Sequence, residues 1–338
     1  MKTKQLCFLF TFALSITACG DDEPIYTHGN SKSTSIGDNQ GANSNKNTTG
    51  PVEAQNRYEF PKLKGGTNVV IVHKAKLNDK VGLEGVNYCV EWDSSIHAQR
   101  WSCYQLYNTV NYKSGDIVSR YSADNDGSLS SYCQYPNDLD LAESFRLTAD
   151  PYKYNNFDHG HICPSADRQR STEANYQTFF ITNMQPQYMN FNGSNRDGAI
   201  NQRSPWYRLE GKIRDWVKMS STGSGYDTLY VCKGGSIDKS EHILQYLTDK
   251  FNWQNKIPVP KYFFVAVFGK KGTTYSAIGF WMEHVSQYDV QKPLSEYACS
   301  IDKLEEHTGI DFFCNLPDEI EDAVEKSYSA SDWAGNIQ

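Results

Sequence analysis

Two runs of alternating residues, Tyr88-Cys-Val-Glu-Trp92 and Arg100-Trp-Ser-Cys-Tyr-Gln-Leu-Tyr107, constrain the fold most. A period of two puts successive side chains on opposite faces of a strand, so the runs read as a strand pair. Asn68-Val-Val-Ile-Val-His73 is another β-run, and Asp227 to Lys233 reads as a strand ending in Gly234-Gly235. Pro260 to Phe268 and Tyr275 to Trp281 flank Gly269-Lys-Lys-Gly272, a hairpin signal. Thr178-Phe-Phe-Ile-Thr-Asn183 reads as one more buried strand, and Ser122 to Asp140 as loop. Helices are fewer. Ser204-Pro205 sets an N-cap before a proline at the first helical position. The helix that follows is expected to reach about Met219, with Trp206, Leu209, Ile213, Trp216 and Val217 on one face. Ser165 is expected to cap a turn at Ala166-Asp167-Arg168, and Ser300 a short helix ending at His307. The expectation is an α+β domain with a mixed or antiparallel β-sheet core and flanking helices, undivided from residue 58 to 330.

The first residues have another character. Residues 1–18 read as a secretory signal: Lys2 and Lys4 precede an apolar run, Leu6 to Ile16, too short to span a bilayer. Ser15-Ile-Thr-Ala-Cys19 has the form of a bacterial lipobox, whose cysteine becomes the lipidated first residue. Ordinary cleavage with a free Cys19 is the alternative. Residues 19–57, rich in Ser, Asn, Gly, Thr, Lys and Gln, are expected to be a disordered tether from the lipid on Cys19 to the domain at 58–330. The expected location is export with lipid anchoring to the bacterial outer membrane or cell surface, anchored rather than spanning. An exported chain meets an oxidising environment, so disulfides are expected among the seven later cysteines, with one left over. Cys89–Cys103 and Cys299–Cys314 are the favoured local pairs, although spacing does not settle connectivity.

Chemistry concentrates at Phe157-Asp-His-Gly-His-Ile-Cys-Pro-Ser-Ala-Asp-Arg168. Imidazole is the side chain best suited to take a proton near neutral pH, and Gly160 lets the chain approach a ligand between His159 and His161. Downstream, Asn201 and Glu210 supply the hard oxygen ligands that magnesium prefers. Net charge is −7, yet residues 146–218 hold ten Lys/Arg against seven Asp/Glu. A locally basic site on an acidic body suits transient phosphate binding and argues against a tight DNA binder. Phosphodiester hydrolysis needs a base, positive charge on the phosphate and help for the leaving oxygen. His161 reads as the base, Asn201 as the metal ligand, Glu210 as the holder of the metal's waters. Arg214, and His159 when protonated, read as phosphate contacts. Alternatives remain open on the residues alone. His159, His161 and Cys163 alternate and would form a soft zinc set on a strand. A minor alternative has the histidines merely buried or loop-bound, while Asn201 reads equally as a turn residue, and Glu210 with Arg214 as an exposed helical ion pair.

Asp158-His-Gly-His161 followed by Pro164-Ser-Ala-Asp-Arg168 resembles the signature of the DNA/RNA non-specific endonuclease family, the ββα-metal nucleases. Thr182-Asn183-Met184, Pro186-Gln187 and Asn201-Gln202 to Trp206 to Leu209-Glu210 match its second block in order. The resemblance covers most of residues 58–315 and implies a ββα-metal active-site motif. It implies His161 as general base, Asn201 as the single direct metal ligand, Glu210 as holder of the metal's waters, and Arg214 as a stabiliser of transition-state charge. The implied cofactor is Mg2+, with Mn2+ able to substitute. The implied substrates are DNA and RNA, cut without sequence preference. Two departures stand out. His159 occupies a place where the family usually has arginine, which exchanges a permanent cation for a titratable one. Asn201 and Trp206 are also one residue further apart than is usual, which makes Gln202 the fallback ligand. The competing class is a surface lipoprotein, weakened or inactive in catalysis, that only binds nucleic acid or a partner. A zinc-dependent hydrolase using Cys163 is the third reading.

Overall fold

The computed structural model describes residues 42–112, 116–153, 155–193, 204–217, 225–248, 256–333 and 337. Its centre is one antiparallel sheet of seven strands in the order β1-β2-β3-β6-β9-β10-β11. These are β1 (Asn68–Asn78), β2 (Leu83–Asp93), β3 (Ala98–Tyr107), β6 (Thr228–Gly235), β9 (Tyr262–Lys271), β10 (Thr274–Glu283) and β11 (Ala298–Cys299). Two small antiparallel pairs flank it, β4 (Asp158–His161) with β5 (Met184–Gln187), and β7 (Ile243–Thr248) with β8 (Lys256–Pro260). The helices are α1 (Thr172–Gln177), α2 (Met189–Asn192), α3 (Pro205–Trp216), α4 (Ile301–Thr308) and α5 (Asp318–Glu325).

The alternating runs do what their period requires. Cys89 stands opposite Cys103 in β2–β3, and Cys103 opposite Cys232 in β3–β6. Residues of one parity, including Trp92, Tyr104, Val231 and Val265, bury one sheet face against Trp206, Leu209, Ile213 and Trp216 of α3. Their neighbours, including Trp101, Cys103, Cys232 and Phe264, bury the other face against Ile301 and Leu304 of α4. Covering both faces explains why β3 is buried along its whole length. Gly272 turns β9 into β10 at a φ of +57°, a conformation that favours glycine.

Several expectations need correction. All seven described cysteines, including Cys89, Cys103, Cys299 and Cys314, are free thiols. Cys299 packs beside Gly279, whereas the Cys314 thiol faces the backbone carbonyl of Phe60, so that pair has separate neighbours. Packed chain begins well before Tyr58. Asn47 and Ala54 are buried, and Asn43 donates to the Cys314 carbonyl at 3.1 Å. Thr178–Asn183 is a turn leading into a 3-10 helix at Ile181–Asn183, and the strand falls on Met184–Gln187 instead. The Thr178 hydroxyl donates back to the Asn175 carbonyl at 2.6 Å, which holds the chain in a turn there. Ser165 lies inside a 3-10 helix, Ser165–Arg168, with Pro164 at its cap. The Ser204 cap is observed, its hydroxyl accepting from the Tyr207 amide at 3.0 Å, and α3 ends at Trp216 because Val217 is extended. The Ser300 cap is observed as well.

One asparagine ties the small β4–β5 hairpin to the sheet. Asn183 accepts at Oδ1 from the Cys163 amide (2.9 Å) and the Ser102 hydroxyl (3.2 Å). Its Nδ2 donates to the carbonyls of Cys163 (2.9 Å) and Thr178 (2.8 Å), all out of reach of solvent. Replacing Asn183 with alanine strands several buried polar groups at about 1–3 kcal/mol each, so Asn183→Ala should lose about 3 kcal/mol or more. Urea unfolding checks this: the midpoint should fall with the slope unchanged. A stability within about 1 kcal/mol of the parent would show that this side chain is not structural.

Candidate active site

Gly160 is fixed by a close approach. A Cβ there would lie 2.3 Å from Cδ of Gln187, so no larger residue fits between the two histidines without displacing the buried Gln187 side chain. Register sets His161 opposite Met184, and the Ile162 amide donates to the Asn183 carbonyl at 3.0 Å, so the chain leaves β4 on a defined path. Beyond Pro164, Arg168 is buried over the Tyr104 ring and donates to the carbonyls of Asn87 and Gln105. The Pro164–Arg168 segment therefore anchors β4 to the sheet.

A cleft of about 760 Å³ opens at this point. His159 and His161 line it from β4, and Glu210 and Arg214 line it from α3. Arg120, Tyr135 and Lys153 complete it from the long segment before β4. Four of the five expected site residues are thus brought together. Asn201, like its fallback Gln202, lies outside the described residues.

His161 is the best-defined group. Its Nδ1 lies 3.3 Å from the His159 carbonyl. A carbonyl only accepts, so Nδ1 carries the proton and the lone pair is left on Nε2. Nε2 has no hydrogen-bond partner. Burial of the ring holds its pKa well below the usual histidine value, and the nearby Arg120 charge pushes the same way. The imidazole is a neutral acceptor near neutral pH.

The other expected residues have partners that local sequence did not reveal. Both oxygens of Asp150 meet Nε2 of His159, at 2.8 and 3.0 Å, and Tyr135 stacks on its ring at 3.5 Å. His159 is therefore a held ring with only Nδ1 left for a phosphate. Glu210 pairs at 2.6 Å with Lys233, a fully buried lysine of β6 whose ammonium lies 4.1 Å from the Trp206 ring centre. Arg214 pairs at 2.8 Å with buried Asp167. Burial alone would lower the Arg214 pKa, but Asp167 and Glu210 outweigh it and keep the guanidinium charged. The exposed Glu210–Arg214 pair is replaced by two partly buried pairs to other elements.

The zinc set does not form. Cys163 is buried in the core, and burial pushes its thiol up to about 12, which disfavours the thiolate zinc needs. Among the described residues, two other groups have a ligand spacing suited to a metal ion: His73–Asp138–Asp140 and Asp302–Glu305–Glu325. His73 and Asp138 form a buried 2.8 Å pair that Thr182 also joins, and neither lines the cleft.

Comparison with known proteins identifies the family. The family described as DNA/RNA non-specific endonuclease matches residues 68–319. Nuclease C1 of Cunninghamella echinulata var. echinulata is 25% identical over 235 residues, covering 69% of this chain and 83% of that protein. A Nostoc nuclease is 29% identical over 189 residues, covering 53% of this chain and 59% of its own length. A Syncephalastrum racemosum nuclease is spanned to 55% of its length. A chain of the solved EndoG/EndoGI complex shares the fold at a TM-score of 0.52 and 20% identity, covering 68% of this chain and 84% of that one. The matched region runs through the β4–β5 hairpin, α3 and every strand of the large sheet, and on it the chain belongs to the DNA/RNA non-specific endonuclease family.

Proposed function

We propose that the chain is an exported, magnesium-dependent endonuclease that hydrolyses phosphodiester bonds of DNA and RNA with little sequence preference. The observation that carries this reading is the buried, unpartnered Nε2 of His161, a residue in the wall of a cleft lined with cations. Nε2 takes the proton of the attacking water. Arg214 and Arg120 hold the phosphate, and Lys153 adds positive charge where the strand enters. His159 is set by Asp150 and Tyr135 and offers an imidazole contact in place of the family's usual arginine. Lys233 under Glu210 fixes the direction of that carboxylate.

The donors in the cleft fit a hard divalent ion: Glu210 keeps an oxygen beyond the one paired with Lys233, and no thiolate competes. Asn201 and Glu210 would hold magnesium, directly and through its waters. Bound there, the ion supplies positive charge to the phosphate and the leaving oxygen. The signal-like residues 1–18 and Cys19 support export and lipid anchoring, with nucleic acid outside the cytoplasm as substrate.

Plasmid nicking tests the function. The parent should nick with Mg2+ and stop in EDTA, and His161→Ala should lose roughly 100-fold or more while keeping its melting temperature. Unchanged nicking by His161→Ala would reject the assignment. The pH profile follows from the lowered His161 pKa. Above the ordinary histidine value near 6.5 the base is free in the folded and unfolded chains alike. As pH falls below it, the unfolded chain takes up a proton that the folded ring resists, so stability declines while activity persists. The acid limb of kcat/KM should therefore lie below pH 6.5; a limb centred above it contradicts the buried base. His159→Arg should alter the pH–rate curve relative to the parent, and superimposable curves would remove any phosphate role for that ring.

A further inference from the structure

α4 and α5 concentrate the negative charge of the molecule. Residues 302–326 hold nine Asp/Glu and two lysines, a balance equal to the whole chain's −7. Both lysines are engaged elsewhere, Lys303 with Glu306 at 2.6 Å and Lys326 with Asp322 at 3.5 Å. Asp302 and Glu305 are three residues apart and share one side of α4. Glu325 reaches them from α5, and one carboxylate oxygen of each lies within 4.8 Å of the others.

Glu325 makes this more than a cluster of acids. It is 8% exposed, and its Oε1 has no hydrogen-bond partner. It is also the last residue of α5, where the helix's free carbonyls already present negative charge. A buried carboxyl with no donor, at the wrong end of a helix and facing two more, needs a proton or a counter-charge. Burial and the neighbouring acids push Glu325 up to about 10 and Glu305 up to about 8, and a bound cation takes the place of those protons. Glu305 is held ready, its Oε1 accepting from the Phe312 amide at 2.7 Å. Behind them Asn45 steadies Glu321 (2.9 Å) and Asp311 (3.3 Å).

We propose that Asp302, Glu305 and Glu325 form a second cation site, taking calcium, that ties α5 to α4 and is separate from the catalytic cleft. All-carboxylate oxygen donors select a hard ion over zinc or copper. Three protein carboxylates on one ion suit calcium, which takes many oxygen ligands in a flexible geometry, better than magnesium, which keeps most of its waters and takes one or two carboxylates. The ion holds the helix pair that covers the Cys232–Phe264 face of the sheet.

Thermal unfolding of EDTA-treated protein, with calcium chloride added back, tests the site. Calcium at about 100 times its Kd should raise Tm by about 5 °C. The rise should persist in Asn201→Ala, which removes the expected cleft ligand, and vanish in Glu325→Gln, which keeps full nuclease activity. No rise in the parent, a rise lost in Asn201→Ala, or one that survives Glu325→Gln would each overturn the proposal. An equal rise with magnesium at the same concentration would overturn the choice of calcium. Should Glu325→Gln fail to fold, equilibrium dialysis of Asn201→Ala decides: one calcium per chain supports the site and none rejects it.

Discussion

Asn183 is the side chain on which the geometry of the cleft rests. By accepting from and donating to the backbone of Cys163, it fixes the path of the chain just beyond His161. Its hydrogen bond from Ser102 ties that fixed point to β3, a strand buried along its length. His161 therefore stands on the sheet through a short chain of buried hydrogen bonds, although β4 spans only Asp158–His161. The bond from Nδ1 to the His159 carbonyl adds the last constraint, the tautomer.

Charge is handled the same way, by burying one partner of each pair. Lys233 is closed from solvent under Glu210 and against Trp206, and Asp167 is closed from solvent behind Arg214. Such pairs add little net stability, since desolvation offsets attraction, but they fix direction. Each leaves a charged group of α3 at the cleft with its orientation set from behind. Asp150 does this for His159, and Tyr135 restrains the ring further. The cleft is thus preorganised, which is what stabilisation of developing charge requires.

Much of this was legible in the sequence because the signals were local. Alternation in residues 88–92 and 100–107 located β2 and β3, and Ser204-Pro205 located the start of α3. His159, His161, Glu210 and Arg214 were readable as a set and do share one cleft. The partners were hidden because Asp150, Asp167 and Lys233 reach the site through tertiary packing. Asp167 lay within the signature run Pro164–Arg168 and Lys233 stood as a charge inside the apolar run of β6, but neither position showed what it would pair with. Thr178–Asn183 was misread because its apolar residues fit a strand, while the Thr178 hydroxyl and the Asn183 amide favour a turn. The cysteines misled for the opposite reason: Cys89, Cys103 and Cys232 do lie in register across neighbouring strands, yet they serve as small apolar core residues.

The state of one ring nitrogen is the most direct measurement. Two-bond 15N–1H correlation of His161 at pH 7 distinguishes its protonation forms. We predict the neutral Nδ1–H tautomer, with Nε2 bare and available as the base. A signal for the Nε2–H tautomer, or for a doubly protonated ring at that pH, would contradict the assignment of His161 as the group that takes the proton.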